Sequence, residues 1–202
     1  MRVRIVRTPA GNFSRLGDAL RRAGAEPELV RPADLAPDGR PIVLAGVSSF
    51  PTIARALAPA RSTLRAEVRA GTPVLGVCAG FQVLFDASDE GSGVGVGVRR
   101  GRVRRLHSSR VPNLGWCRLL ASDESRMLDG VPSGSFAYFA HSYRVPGRMA
   151  GVVARTVHSG EAFPSAVEDR ALWGMQFHPE LSGRVGARML ANFVEHCREG
   201  RR

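Results

Sequence analysis

Cys78 lies in the run Gly76-Val77-Cys78-Ala79-Gly80-Phe81-Gln82, and about a hundred residues on the chain offers Phe177-His178-Pro179-Glu180. A thiol, an imidazole and a carboxylate are the parts of a nucleophile, its base and an orienting group. With Pro73-Val74-Leu75 before the cysteine and Val83-Leu84-Phe85 after it, the segment predicts a buried strand, a tight turn and a helix, the pattern of a nucleophile elbow. Glycines at 76 and 80 suit a turn with no room for side chains. The first N–H groups of the helix favour an anion at its mouth. Two residues apart on an extended segment, His178 and Glu180 project to one side, so the carboxylate can accept the imidazole N–H and fix its tautomer. Pro179 stiffens the pair. Such a set lets a thiol attack an amide: the histidine takes the proton, returns it to the departing amine and later activates water against the thioester. The oxyanion needs N–H donors. Ala79, directly after the nucleophile, supplies one, and a second must come from another loop.

Those groups need a scaffold, and 202 residues are enough for one domain with a full core, expected over 1–202. Three widely spaced cysteines, Cys78, Cys117 and Cys197, include no C-x-x-C pair, which argues against a disulfide framework or zinc site and for a reducing, cytoplasmic compartment. His107, His141, His158 and His196 form no ligand pattern. No metal or cofactor is therefore expected, and His158 and His196 are expected at the surface. No stretch approaches a membrane span, and the N-terminus alternates charged and apolar residues as a first strand would. The formal charge of +11 raises nucleic acid as a partner. All 29 basic residues are arginines, concentrated only at Arg99, Arg100, Arg102, Arg104, Arg105 and Arg110, with no interleaved aromatics to stack bases. A solvated strand face or a protein contact is favoured over nucleic acid.

The first half reads as alternating strands and helices, the mark of a mostly parallel sheet with helices packed on it. Strands are expected at 3–7, near 28–30, at 41–45 and leading into Cys78. Helices are expected around Leu16, Ala19, Leu20 and Ala23, ending at Gly24, then near 52–58 and at 62–70. In the second half, 111–120, 136–145, 152–157, 163–168 and 171–177 read as short strands, several of them antiparallel. Leu190, Phe193, Val194 and Cys197 follow helical spacing, making Cys197 a core residue. The glycine-alternating run 91–97 lacks a phosphate-loop ending and is expected to be a flexible loop near the site.

Gly-Val-Cys-Ala-Gly-Phe-Gln together with Gln-Phe-His-Pro-Glu resembles the class I, or triad, glutamine amidotransferases. Val111-Pro112-Asn113-Leu114-Gly115-Trp116, Tyr138-Phe139-Ala140-His141-Ser142-Tyr143, Phe163-Pro164-Ser165-Ala166-Val167 and Gly11-Asn12 narrow the likeness to glutaminase subunits of imidazole glycerol phosphate synthases. The resemblance implies an α/β fold with a central mixed, mostly parallel sheet flanked by helices. It implies a triad of Cys78, His178 and Glu180, an oxyanion hole from Gly46, Val47 and Ala79, and glutamine binding by Gln82, Glu90, Ser142 and Tyr143. It also implies glutamine as substrate and a heterodimer with a (β/α)8-barrel synthase. That partner would use the ammonia to close an imidazole ring and free a purine intermediate in histidine biosynthesis. Asn12, Trp116, Tyr138 and Leu181 fall at positions the family places at that interface. From sequence alone, Trp116 suits an interface anchor and a core residue about equally.

Departures from the family pattern cluster around the same functions. The oxyanion loop, usually Pro-Gly-Val-Gly, is Ala45-Gly46-Val47-Ser48, which keeps the hinge glycine but implies a different flipping equilibrium. Asn113 replaces a histidine, Cys117 an asparagine, and Leu181 the lysine that commonly follows His-Pro-Glu. These changes leave open an amidotransferase serving a different synthase, or a catalytically silent regulatory homologue.

Overall fold

The computed structural model describes residues 1–121 and 125–200. β1 (Arg2–Val6) leads to α1 (Phe13–Arg22), which buries Leu16, Ala19 and Leu20 and is capped by the Asn12 side chain accepting from the Arg15 N–H. β2 (Glu26–Val30), β3 (Ile42–Gly46), α2 (Phe50–Ala56), α3 (Arg61–Arg69) and β4 (Val74–Cys78) follow. Every residue of β3 and β4 is buried, as in parallel strands covered on both faces. α4 (Ala79–Gln82) starts directly after the nucleophile.

The second half contributes β5 (Ala87–Ser88), β6 (Arg102–Arg105), β7 (Asn113–Arg118), β8 (Leu120–Ala121), β9 (Phe136–His141), β10 (Tyr143–Arg144), β11 (Val152–His158), β12 (Glu161–Asp169), β13 (Leu172–Met175) and α5 (Gly183–Glu199). The main sheet has the order β2-β1-β3-β4-β13-β12-β11-β8. Neighbours from β2 to β13 are parallel; β12, β11 and β8 continue antiparallel. The expected mixed, mostly parallel sheet is thus present. Trp173 and Phe193 pack edge to face in one core layer, and Phe50, Leu64 and Phe81 fill another. Burial of each such large side chain contributes about 1.5–3 kcal/mol.

Several elements differ from the sequence expectations. The helix after Cys78 stops at Gln82 and does not run through Phe85, because the Val83 and Leu84 carbonyls accept the Val96 and Val98 N–H groups at 2.7 and 3.0 Å. The same bonds pin the glycine run expected to be flexible. Gly95 lies so close to the Phe85 carbonyl that an added Cβ would collide with it. The segments expected as single strands over 111–120 and 136–145 each divide. β7 and β9 form a separate two-stranded ribbon, whereas β8 joins the main sheet and β10 pairs with β6. The short β5 had no sequence signal.

Cys197 is buried, as expected. His158 and His196 are both half-buried at the surface: His158 Nε2 lies 2.7 Å from the Arg110 carbonyl, and His196 stacks on Trp173 with centroids 5.1 Å apart. On β6, Arg102, Arg104 and Arg105 are exposed, and Arg102 pairs with Asp89 at 2.6 Å, which makes this a solvated face. Among the described residues, no helix is long and apolar enough to cross a membrane.

Candidate active site

Three parallel strands deliver the site at their C-terminal ends. β4 lies between β3 and β13, with Gly46 as the register partner of Cys78 and Met175 as that of Val77. The chain leaving β13 therefore carries Gln176 and His178 past the cysteine. Cys78 has φ +52°, a left-handed conformation that costs about 1–3 kcal/mol in a non-glycine residue and persists only where packing enforces it. Gly76 and Gly80 permit that packing. An added Cβ at 76 would lie 2.6 Å from the Phe81 Cα, and one at 80 would collide with the Leu44 carbonyl.

His178 Nδ1 donates to Glu180 Oε1 at 3.0 Å, and both side chains are about 95 % buried. The second carboxylate oxygen, Oε2, has no hydrogen-bond partner among the described residues. The histidine backbone is anchored as well: its N–H donates to the Tyr138 carbonyl at 2.9 Å, and its carbonyl accepts from Ser182 Oγ at 2.6 Å. Burial alone would lower the His178 pKa. Hydrogen bonding to Cys78 and Glu180, together with their charges, outweighs burial and raises it to about 10. The imidazole beside Cys78 is thereby held protonated through the neutral range.

A cavity of about 320 Å³ opens at the cysteine, walled by Ala79, Gln82, Glu90 and the bend Ala140–Tyr143. Gln82, Glu90, Ser142 and Tyr143 are thus brought together around Cys78. Gln82 is buried and spends its amide on the Tyr143 carbonyl at 2.7 Å and Gln176 Oε1 at 3.1 Å. Glu90 Oε2 accepts the Phe50 N–H at 2.6 Å. A larger cavity, about 640 Å³, lies at the other, N-terminal ends of β4 and β13. Its Glu67 is engaged by Arg4 and Thr72.

The two expected oxyanion donors are unequally prepared. Ala79 opens α4, where an N–H has no intrahelical acceptor. The Val47 N–H, in contrast, donates to the Ala10 carbonyl at 3.1 Å. The Gly46–Val47 peptide must turn before that N–H can serve an anion at Cys78.

Trp116 is 55 % exposed and meets Tyr138 edge to face at 5.9 Å across the β7–β9 ribbon. The core tryptophan is Trp173. Tyr138 also donates its N–H to Ser182 Oγ, which sets the ribbon against the turn Pro179–Leu181, and α1 packs on that turn. Asn12 is exposed at the start of α1. Two residues had no role in the sequence reading. Gln176 Nε2 lies 4.0 Å from Cys78 Sγ, and its place beside His178 in Gln-Phe-His-Pro-Glu was the available signal. His141 sits in the cavity wall, bonded to Tyr143 and Asn113; its place in the run 138–143 that carries the family likeness was the available signal.

The fold thus brings an elbow cysteine between parallel strands beside a buried His–Glu pair from the neighbouring strand end, the three residues expected to form a triad. The chain belongs to the glutamine amidotransferase class-I family, which it matches over residues 12–197. Within it, the chain is similar to proteins named imidazole glycerol phosphate synthase subunit HisH. It is 40 % identical to that of Synechococcus sp. strain JA-3-3Ab, over 96 % of this chain and 94 % of the relative. It is 37 % identical to that of Methanosarcina mazei, over 97 % and 99 %. Among solved structures, one described as a glutamine amidotransferase superposes with a TM-score of 0.73 at 22 % identity, over 96 % of this chain and 98 % of the other. A putative GMP synthase component from Thermoplasma acidophilum gives 0.72 at 18 %, over 100 % and 96 %.

Proposed function

We propose that the protein is the glutaminase subunit of an imidazole glycerol phosphate synthase, with 1–202 acting as one domain. The observation that carries this reading is the buried His178–Glu180 bond at the strand end beside Cys78. The full-length likeness to HisH subunits gives the pathway, histidine biosynthesis. Cys78 sulfur attacks the side-chain carbonyl carbon of glutamine, and the oxyanion takes the Ala79 N–H and, once turned, that of Val47. His178 gives its proton to the leaving nitrogen, and ammonia departs. Water then loses a proton to His178 and opens the thioester, which releases glutamate and restores the thiol. Gln82, Glu90, Ser142 and Tyr143 bind the substrate, with the Glu90 carboxylate suited to the α-ammonium group.

The ammonia passes to a synthase partner, a (β/α)8-barrel, in a cytoplasmic heterodimer. Asn12, Trp116, Tyr138 and Leu181 lie on the face it covers. Leu181, replacing a lysine, makes that contact apolar. The Val47–Ala10 bond favours low activity in the unbound protein and a partner that releases it. The test mixes the chain with its candidate synthase and glutamine and measures glutamate with and without the nucleotide substrate. Glutamate formed in the complex and lost in Cys78→Ala is expected; none under either condition rejects the reading.

A further inference from the structure

We propose that His141 and Asn113 are positioning residues for glutamine binding, holding the β9–β10 bend in place through the Tyr143 carbonyl. Glutamine as the substrate is taken from the glutaminase reading above. His141, the last residue of β9, is 7 % exposed; its Nδ1 lies 2.8 Å from the Tyr143 carbonyl and its Nε2 lies 3.2 Å from Asn113 Nδ2. A carbonyl only accepts, so Nδ1 carries the proton. In the neutral ring Nε2 is then the acceptor, and Asn113 must present its NH2 to it. That turns Asn113 Oδ1 toward Cys117, whose thiol donates to it at 3.3 Å. One backbone carbonyl thus fixes the polarity of three side chains on two strands. The neutral form is secure, because burial lowers the His141 pKa to about 4, against the opposing pull of the Tyr143 hydrogen bond.

The Tyr143 carbonyl has a second donor, Gln82 Nε2 at 2.7 Å. Its two lone pairs therefore join the β7–β9 ribbon to the elbow helix. Between those elements lie Ser142 and Tyr143 in the cavity wall, and Ala140, whose carbonyl accepts from Cys78 Sγ at 3.7 Å. Without the imidazole donor the bend loses its hold from the ribbon side. His178 and Glu180 are anchored separately, through Tyr138 and Ser182, so the loss falls on glutamine binding more than on the chemical step.

His141 also packs against the rings of Phe139 and Phe163, at 5.7 and 5.1 Å between centroids, so a packing role must be told apart from a hydrogen-bonding one. Two amide substitutions do so. His141→Asn places an amide near the Nδ1 position and can keep the donor to Tyr143, whereas His141→Gln reaches the Nε2 position and loses it. The loss of one buried hydrogen bond corresponds to a rise of about tenfold in KM for glutamine in His141→Gln, with kcat changed by less than about threefold. His141→Asn should recover most of that rise although it fills less space. The reverse order, with His141→Asn the worse variant, would show packing alone and overturn the proposal. Nitrogen-15 NMR of the wild-type ring gives a readout independent of activity: the Nδ1–H tautomer is expected, and the Nε2–H tautomer overturns the proposal. An inactive wild-type complex would reject the glutaminase reading while leaving the NMR result standing.

Discussion

Gly46 at the end of β3 is the register partner of Cys78 at the end of β4, so the peptide that follows Gly46 leaves the sheet beside the nucleophile. Strand neighbours are about 4.8 Å apart, close enough for that peptide to reach an anion formed at the sulfur. Its N–H is nevertheless held by the Ala10 carbonyl at 3.1 Å. On the proposed mechanism the two demands compete for one donor, and their balance would set the activity of the protein without its partner.

Gly46→Ala should separate that motion from the fold. The nearest atom to an added Cβ is the terminal Cδ1 of Ile53, the flexible end of a side chain, and the next nearest outside Ile53 is Thr8 Oγ1 at 3.6 Å. Ile53 can yield, but a Cβ restricts turning of the 46–47 peptide. Glutamate production in the complex should fall by about a hundredfold, the scale of losing one oxyanion donor, while the melting temperature drops by only a few degrees. Unchanged kcat would remove Val47 from the oxyanion hole.

Gly80→Ala should fail at the level of the fold. Its Cβ would strike the Leu44 carbonyl, a backbone atom of a central strand that cannot move aside. A destabilisation of about 3 kcal/mol, read as a fall of roughly 10 °C in melting temperature, is expected. A wild-type melting curve would show that the elbow tolerates a larger residue.

The elbow and the His-Pro-Glu segment were legible because each is a run of particular residues at fixed local spacing. So were the parallel strands, whose burial on both faces leaves continuous apolar runs such as Ile42–Ala45. The end of α4 at Gln82 was not legible, since Val83 and Leu84 favour a helix locally and only the returning 95–98 segment claims their carbonyls. The exchange of partners at Ser142 is equally non-local: Phe136–Val145 reads as one strand until β6 captures its second half. His141 meets Tyr143 only once that bend forms, and Gln176 meets Gln82 and Cys78 only once β13 lies beside β4, so neither contact was readable from local sequence.

The pH dependence should reflect the raised His178. Its pKa is lifted from an ordinary 6.5 to about 10, so the imidazole keeps its proton across the neutral range and loses it as pH rises through about 10. The histidine then has no proton for the leaving nitrogen, and kcat/KM should show its alkaline limb near 10 with none between 7 and 9. Glu180→Gln removes one of the charges that raise the pKa, so the limb should move to lower pH while kcat falls. The stability linkage has the same sign. A folded pKa above the unfolded one adds stability that is complete below about 6.5 and is lost as pH rises through about 10. Urea midpoints should therefore fall on the alkaline side less steeply in Glu180→Gln. An unmoved alkaline limb would show that the Glu180 charge does not set the His178 pKa.

Trp116 tests the proposed interface, because an exposed tryptophan braced by Tyr138 is preorganised for binding and contributes little to the core. Truncation removes a large apolar surface that only a partner would bury. Trp116→Ala should weaken association with the synthase by about 2–4 kcal/mol in calorimetric titration. The unbound protein should keep its melting temperature within about 2 °C, as expected for a surface substitution. Leu181→Lys probes the adjacent turn with the opposite logic: a lysine placed against an apolar partner surface buries an unpaired charge, and affinity should fall. A gain in affinity would instead reveal a carboxylate on the partner opposite residue 181, and the contact at Leu181 would then be polar.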